Sequence, residues 1–412
     1  MSTRLKGNAN YRRLFWSTGI TNLGDGLSAM ALPWLATLIT RDPLLVALIG
    51  FGQRAPWLLF SLHVGVLTDR ADRKRLILMA DGLRFALTSL IVAMALMLDT
   101  HGVLESYWIA PLAALAFLLG TAEVVRDNAA QTILPSIVHN DDLEEANGRL
   151  WSVEHVTALI GPPLAGALIA LWLPLPFLFD ALSFLMALLL VRLVTLAPRP
   201  EPARTAVLQE MAQGWHWMRG HPVILRLALM LGCLNFAGMM VMAILVLYAQ
   251  DVLGLGPLGH GMLLASGAAG GVLAGLIGPR IVARIGGRAA VLAALGLQMS
   301  ALLAYALVPF ALMACLAEAT LLFGGVLWNI VTVSYRQRLI PDALLGRVNA
   351  IYRFFGWGPL PLAALAGGLL VSTLEPLGRE VALRAPFAVS AVFVCLLLLY
   401  ALRRLHLPES AR

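Results

Sequence analysis

A carboxylate stands at Asp25 in the run Thr21-Asn22-Leu23-Gly24-Asp25-Gly26, twelve residues after Arg13 in an otherwise apolar stretch. Twelve helical residues rise about 18 Å, which sets this acid near the midplane of any bilayer the stretch crosses. Charge at that depth costs several kcal/mol and is kept when it meets a cavity, a partner or a proton path. Asp25 is therefore a candidate to bind and release protons or to hold a cationic group. The plainer alternative is an acid hydrogen-bonded to backbone that the flanking glycines expose.

Glu123, Arg126 and Asp127 form a second constellation, followed by Asn128 and Gln131. Glu123 and Asp127 are four residues apart and share a helical face, and Arg126, three after Glu123, is placed to pair with it. Such a cluster reads either as a structural ion-pair network or as a coupling site. Asp180 and Glu318 are lone acids in apolar sequence, while Glu154 and His155 are adjacent and point about 100° apart on a helix, so they do not face each other. Two Gly-Pro sites carry no charge but bend helices: Gly161-Pro162-Pro163-Leu164-Ala165-Gly166, and Gly358-Pro359 with Gly367 and Gly368 beyond. Proline frees a carbonyl, and glycine lets a neighbouring helix come close. A third cluster, Gly65-Val-Leu-Thr-Asp69-Arg70-Ala-Asp72-Arg73-Lys74-Arg75, packs six charges between two long apolar runs. A turn so charged must lie at a membrane face.

The elements that position these groups follow from composition. The 412 residues are 59% hydrophobic and 13% charged, with mean hydropathy +0.82, far from a soluble domain, where roughly a quarter would be charged. Apolar stretches fall near 14–40, 44–67, 76–98, 108–134, 150–172 and 175–197, then near 222–250, 258–282, 289–308, 310–335, 348–373 and 385–402. Each is long enough to span a bilayer, which predicts twelve helices. The net charge of +7 does not point to nucleic acid, because the basic residues punctuate the spans rather than form a soluble face. Placing both termini in the cytoplasm puts 21 of the 30 lysines and arginines in cytoplasmic segments and only Arg41, Arg379 and Arg384 outside. Cys233, Cys315 and Cys395 all lie in spans, so no disulfide framework or metal site is expected.

The two halves repeat weakly but in order. Arg13-Leu14 and Asn22 recur 213 residues later as Arg226-Leu227 and Asn235, and Gly65 and Arg75 recur at the same offset as Gly278 and Arg288. Gln131 and Pro135 return as Gln337 and Pro341, and Asn147 as Asn349. An even number of spans between copies makes them parallel repeats about an axis along the membrane normal. The expected domains are 1–197, a linker at 198–221 and 222–412. In the linker, Leu208, Met211, Trp215 and Met218 form an amphipathic stripe suited to the cytoplasmic interface.

The Gly65–Arg75 spacing, the twelve spans and the parallel repeat together resemble the major facilitator superfamily of secondary transporters. The texture around Asp25 and the Pro135…Ala146-Asn147 pattern resemble its bacterial exporter branch, which includes the enterobactin exporter and macrolide-efflux proteins. That resemblance implies an all-α integral membrane protein of two six-helix bundles related by a pseudo-two-fold axis. It implies a cytoplasmic-membrane exporter, working as a monomer, of a small amphipathic or lipophilic compound such as an antibiotic or siderophore. Alternating access driven by protons would power it, with lipid, substrate and protons as its only partners and no cofactor. The alternative is an uptake permease or facilitator of the same fold; an integral-membrane enzyme would not need the duplication. The proton or substrate candidates are then Asp25, Glu123, Arg126, Asp127 and Glu318. Gly65, Asp69, Arg70 and Arg73 would form the gate, Asp69 meeting the helix start near Val348–Ala350 while Arg70 and Arg73 pair with acids. Gly161, Pro162, Gly166, Gly358 and Pro359 resemble the helix-bending motif of proton-driven exporters.

Overall fold

The computed structural model describes Leu5 and residues 7–102, 105–196 and 207–405, without the side chains at 62, 65, 66, 69, 70, 101, 140, 207–210, 342 and 343. The described residues are helical throughout, with short turns and no strand. In the first half the helices are α1 (Ala9–Ile39), α2 (Pro43–Arg70), α3 (Arg73–His101), α4 (Ile109–Ile133), α5 (Leu143–Leu171) and α6 (Leu175–Arg192). A linker helix, α7 (Val207–Gly220), precedes α8 (Pro222–Met242), α9 (Leu245–Asp251), α10 (Pro257–Ile285), α11 (Gly287–Leu307) and α12 (Ala311–Leu339). The last are α13 (Asp342–Trp357), α14 (Leu360–Leu374) and α15 (Arg379–Arg404).

Eleven segments among the described residues are long and apolar enough to cross a membrane; α8 with α9, and α13 with α14, each make one. The twelfth span is α1. Its 31 residues would reach about 46 Å, ample for a bilayer, but Thr18, Thr21, Asn22, Asp25 and Ser28 keep it below an apolar threshold. The polar residues that lower its hydropathy are those that build the site below.

The charged turn is shorter than its sequence suggests. Helix α2 runs to Arg70 and α3 starts at Arg73, leaving only Ala71 and Asp72 between them, so most of the charges sit on helix ends rather than in a loop. Asp72 caps α3, its Oδ1 accepting from the amides of Lys74 (2.9 Å) and Arg75 (3.2 Å). Asp42 caps α2 in the same way, with Pro43 in the first helical position.

The internal repeat has a physical basis in helix C-termini, whose last carbonyls lack helical partners. Arg13 donates to Leu193 O at 2.6 Å, and Lys74 to Arg192 O (2.8 Å) and Val194 O (2.6 Å), closing the end of α6. In the second half Arg226 donates to Arg404 O at 3.0 Å, and Arg288 to Leu402 O (2.8 Å) and Leu405 O (2.9 Å), closing the end of α15. The repeated cations are carbonyl clamps on the last helix of each half, and Lys74, one residue before Arg75, is the working partner of Arg288.

Two compact units result: Met1–Ala203 with Gly256–Met262, and Arg204–Leu255 with Leu263–Arg412. In the first, α1 packs on α5 and α6, α2 on α4, and α3 on both α4 and α6. In the second, α8 packs on α13, α14 and α15, and α11 on α12 and α15. Part of the amphipathic stripe of α7 meets protein: Met218 is fully buried, while Trp215 packs on Phe355 and Gln213 accepts from Arg347 at 2.7 Å, both on α13.

Candidate functional site

Four helices of the first unit bring charges together in its interior. Asp25 comes from α1, Asp81 and Arg84 from α3, Glu123, Arg126 and Asp127 from α4, and Asp180 from α6. Arg84 pairs through Nη2 with Asp25 Oδ1, and its guanidinium lies 4.1 Å over the Phe184 ring. Asp25, Glu123, Asp180 and Asp81 all act electrostatically on Arg84. Arg126 bonds through Nε to Asp81 Oδ1 at 3.3 Å and reaches Asp127 Oδ1 from Nη1 at 3.5 Å. The expected Glu123–Arg126 pair does not form, because Arg126 turns toward α3 and bonds to the fully buried Asp81.

Asp180, read from sequence as a lone acid, belongs to this cluster. It accepts a short hydrogen bond from Ser28 of α1, and Ser183 Oγ lies 3.4 Å from its Oδ1. Gly24 makes room for it: a methyl there would overlap Asp180 Oδ1 and come within 2.5 Å of Ser183 Oγ. One residue later on α1, Asp25 reaches Arg84, so adjacent positions of α1 serve α6 and α3.

The cluster has two layers. Arg84 and Arg126 are sealed, with side chains 3% and 2% exposed, as are Asp81 and Asp180, whereas Asp25 and Asp127 are 33% and 34% exposed and Glu123 is half-buried. The open layer consists of three carboxylates and the sealed layer holds both arginines. Arg54, exposed on α2, adds positive field at Glu123. Five acids share two buried arginines, so the cluster holds more carboxylates than buried cations to pair with them. Glu154 and His155 lie exposed on α5, with His155 against Trp151.

Glu318 belongs to the second unit, where it is buried and accepts from Tyr305 Oη at 2.7 Å. Tyr305 in turn carries Tyr248, which donates to its backbone oxygen at 2.8 Å, and both rings pack on Phe387. The two Gly-Pro sites behave differently. Helix α5 continues through Pro162 and Pro163, and Gly161 lets it touch α1 at Gly26, where a methyl on Gly161 would lie 2.9 Å from the Gly26 backbone. Gly166 packs against Pro257 and Leu258, which cluster with the first unit. At Gly358-Pro359 the helix breaks, separating α13 from α14.

Among the gate residues, the side chains of Gly65, Asp69 and Arg70 lie outside the described residues. Among the described residues Arg73 pairs with no acid; it donates to Thr132 O at 2.7 Å and Thr68 O at 3.5 Å, tying α3 to α4 and α2. Sequence reading missed Asp81 and Arg84. Their signal was present, since they are three apart inside a span like Glu123 and Arg126.

Spanning helices in both units, with a charged and partly open cluster inside the first, define a multi-pass membrane protein. The chain belongs to the transmembrane secretion effector family of the major facilitator superfamily, whose model matches residues 6–411. It is 25% identical over 380 residues to the enterobactin exporter EntS of Shigella boydii, covering 89% of this chain and 86% of that one. It is also 25% identical over 236 residues to macrolide efflux protein A of Enterococcus faecalis, covering 56% of this chain and 70% of that one. In fold it is similar to a bacterial homologue of the iron transporter ferroportin solved in an inward-facing state, with TM-score 0.71, 20% identity, and coverage of 94% of this chain and 98% of that one. These likenesses place the chain among multi-pass transporters of the bacterial inner membrane.

Proposed function

We propose that this transporter exports a small amphipathic or lipophilic compound by alternating access, in exchange for protons, and does so as a monomer with both termini in the cytoplasm. The observation that carries the reading is the open carboxylate layer of Asp25, Glu123 and Asp127 above the sealed Arg84 and Arg126. Partly open acids inside the spans, paired with sealed cations, can trade a proton for a cationic or polar group of the cargo. The direction of transport is supported by the relatives, one named an exporter and the other an efflux protein. Gly161 and Gly166 would let α5 slide during the cycle, and the break at Gly358-Pro359 would supply a hinge. Asp69 and Arg70 remain the proposed gate residues, while Arg73 braces the helix ends that carry them.

Everted membrane vesicles test this reading. With an acid-inside gradient imposed, vesicles containing the transporter should accumulate a macrolide or a catecholate siderophore, and a protonophore should abolish the accumulation. Accumulation that survives the protonophore would rule out proton exchange. Gradient-independent equilibration in both directions would identify a facilitator.

A further inference from the structure

Arg84 holds one acid of the cluster and lies beside the helix that carries a second. Its Nη2 is on Asp25, its Nε and Nη1 make no hydrogen bond to a described residue, and it stacks on Phe184. Phe184 is one turn beyond Asp180 on the same face of α6, so the guanidinium already lies beside the helix that carries Asp180. Asp180 meanwhile spends its carboxylate on Ser28 of α1, next to Gly24. Helix α1 therefore touches α6 through Asp180, and α3 through Arg84, within a single turn.

We propose that Asp180 is the second partner of Arg84, and that neutralising Asp25 transfers the ion pair to it. A proton bound by the Asp25 carboxylate removes the charge that holds Arg84. The guanidinium then turns to Asp180, the sealed carboxylate that no arginine holds. Asp180 leaves the Ser28 hydroxyl to receive it, and the contact between α1 and α6 loosens. Asp180 is a positioning residue: it meets neither the proton nor the cargo, and it converts occupancy of Asp25 into movement of α1. This rests on the proton-exchange reading, although the switch itself needs no cargo. The charged and titratable groups around it are Asp81 on α3, Glu123, Arg126 and Asp127 on α4, Arg54 on α2, and Glu154 and His155 on α5. Asp81 is occupied by Arg126, and Glu123 is on the open layer, so Asp180 is the sealed acid left to take Arg84.

The test is the distance between α1 and α6 in the purified full-length protein. Cys233, Cys315 and Cys395 are replaced by serine, and spin labels are attached at Leu38→Cys and Phe179→Cys, both exposed positions. Pulsed electron resonance then reads the distance distribution at pH 8 and pH 5.5. The parent should shift to a second, longer distribution at the lower pH. Asp25→Asn should show that second distribution at both pH values, and Asp180→Asn should stay in the first at both. Ser28→Ala, which frees Asp180, should raise the ratio of the second state to the first about tenfold at pH 8, the change expected from losing one hydrogen bond to a charged group. A full shift retained in Asp180→Asn, or Asp25→Asn behaving as the parent, would overturn the proposal. Failure of gradient-driven transport alongside an intact distance switch would instead reject the exchange reading and leave the switch standing.

Discussion

Neutralising Arg84 should destabilise the protein far more than neutralising Asp25, although the two form one ion pair. Removing one partner of a buried pair costs about 3–5 kcal/mol because the other charge is left uncompensated. Arg84→Gln leaves Asp25, Glu123, Asp81 and Asp180 without the cation that acts on all four, and it also gives up the stack on Phe184. The full cost of about 3–5 kcal/mol applies. Asp25→Asn leaves Arg84 among three remaining acids, and Asp25 is one-third open to solvent, so the loss should be closer to that of an exposed pair, about 1 kcal/mol or less. The gap of at least about 2 kcal/mol is more than tenfold in the unfolding equilibrium. Unfolding in mixed micelles with increasing sodium dodecyl sulfate, followed by far-ultraviolet circular dichroism, measures both variants against the parent. Adding Asp180→Asn to Arg84→Gln should recover part of the loss by removing one stranded acid. Equal losses for the two single variants, or a larger loss for Asp25→Asn, would refute the layered charge arrangement.

Three further outcomes follow from individual contacts. Gly161→Val drives side-chain atoms into the backbone of Gly26 and should cost about 1–3 kcal/mol and abolish transport, whereas Gly148→Ala, whose added Cβ meets nothing within 4 Å, should be neutral in the same unfolding and uptake assays. Lys74→Ala and Arg288→Ala each uncover the carbonyl end of a closing helix and should each cost about 1–3 kcal/mol, with amide exchange rising at 192–195 in the first and 402–405 in the second. Tyr305→Phe removes the hydrogen bond to Glu318 and should destabilise the second unit by about 1–3 kcal/mol, and Glu318→Gln, which keeps an acceptor, should cost less in the same titration.

Hydropathy made most of the fold legible, because a bilayer forces backbone polar groups into helices and helices into a narrow range of lengths. It failed at α1, where Thr21, Asn22, Asp25 and Ser28 trade apolarity for site chemistry, and at the ends of α2 and α3, where charged residues continue a helix that apolar counting had ended. The site was half legible. Asp25, Glu123, Arg126 and Asp127 stand out as charges in apolar sequence, but which arginine meets which acid depends on how α3, α4 and α6 pack. Spacing along one helix favoured Glu123 for Arg126, and packing delivered Asp81. Asp180 looked solitary because its partners, Ser28 and the space at Gly24, lie 152 and more residues away. The repeat was visible as scattered identities, and only the hydrogen bonds of Arg13, Lys74, Arg226 and Arg288 to helix-terminal carbonyls give it a physical cause.

Proton release during transport tests the central claim most directly. Everted vesicles are given an acid interior reported by a quenched acridine dye, and a macrolide or a catecholate siderophore is added. The account predicts that the compound restores fluorescence as protons leave in exchange for it, that vesicles with Asp25→Asn give no response, and that vesicles lacking the transporter give none. Uptake of the compound without proton release, or release that persists in Asp25→Asn, would contradict it.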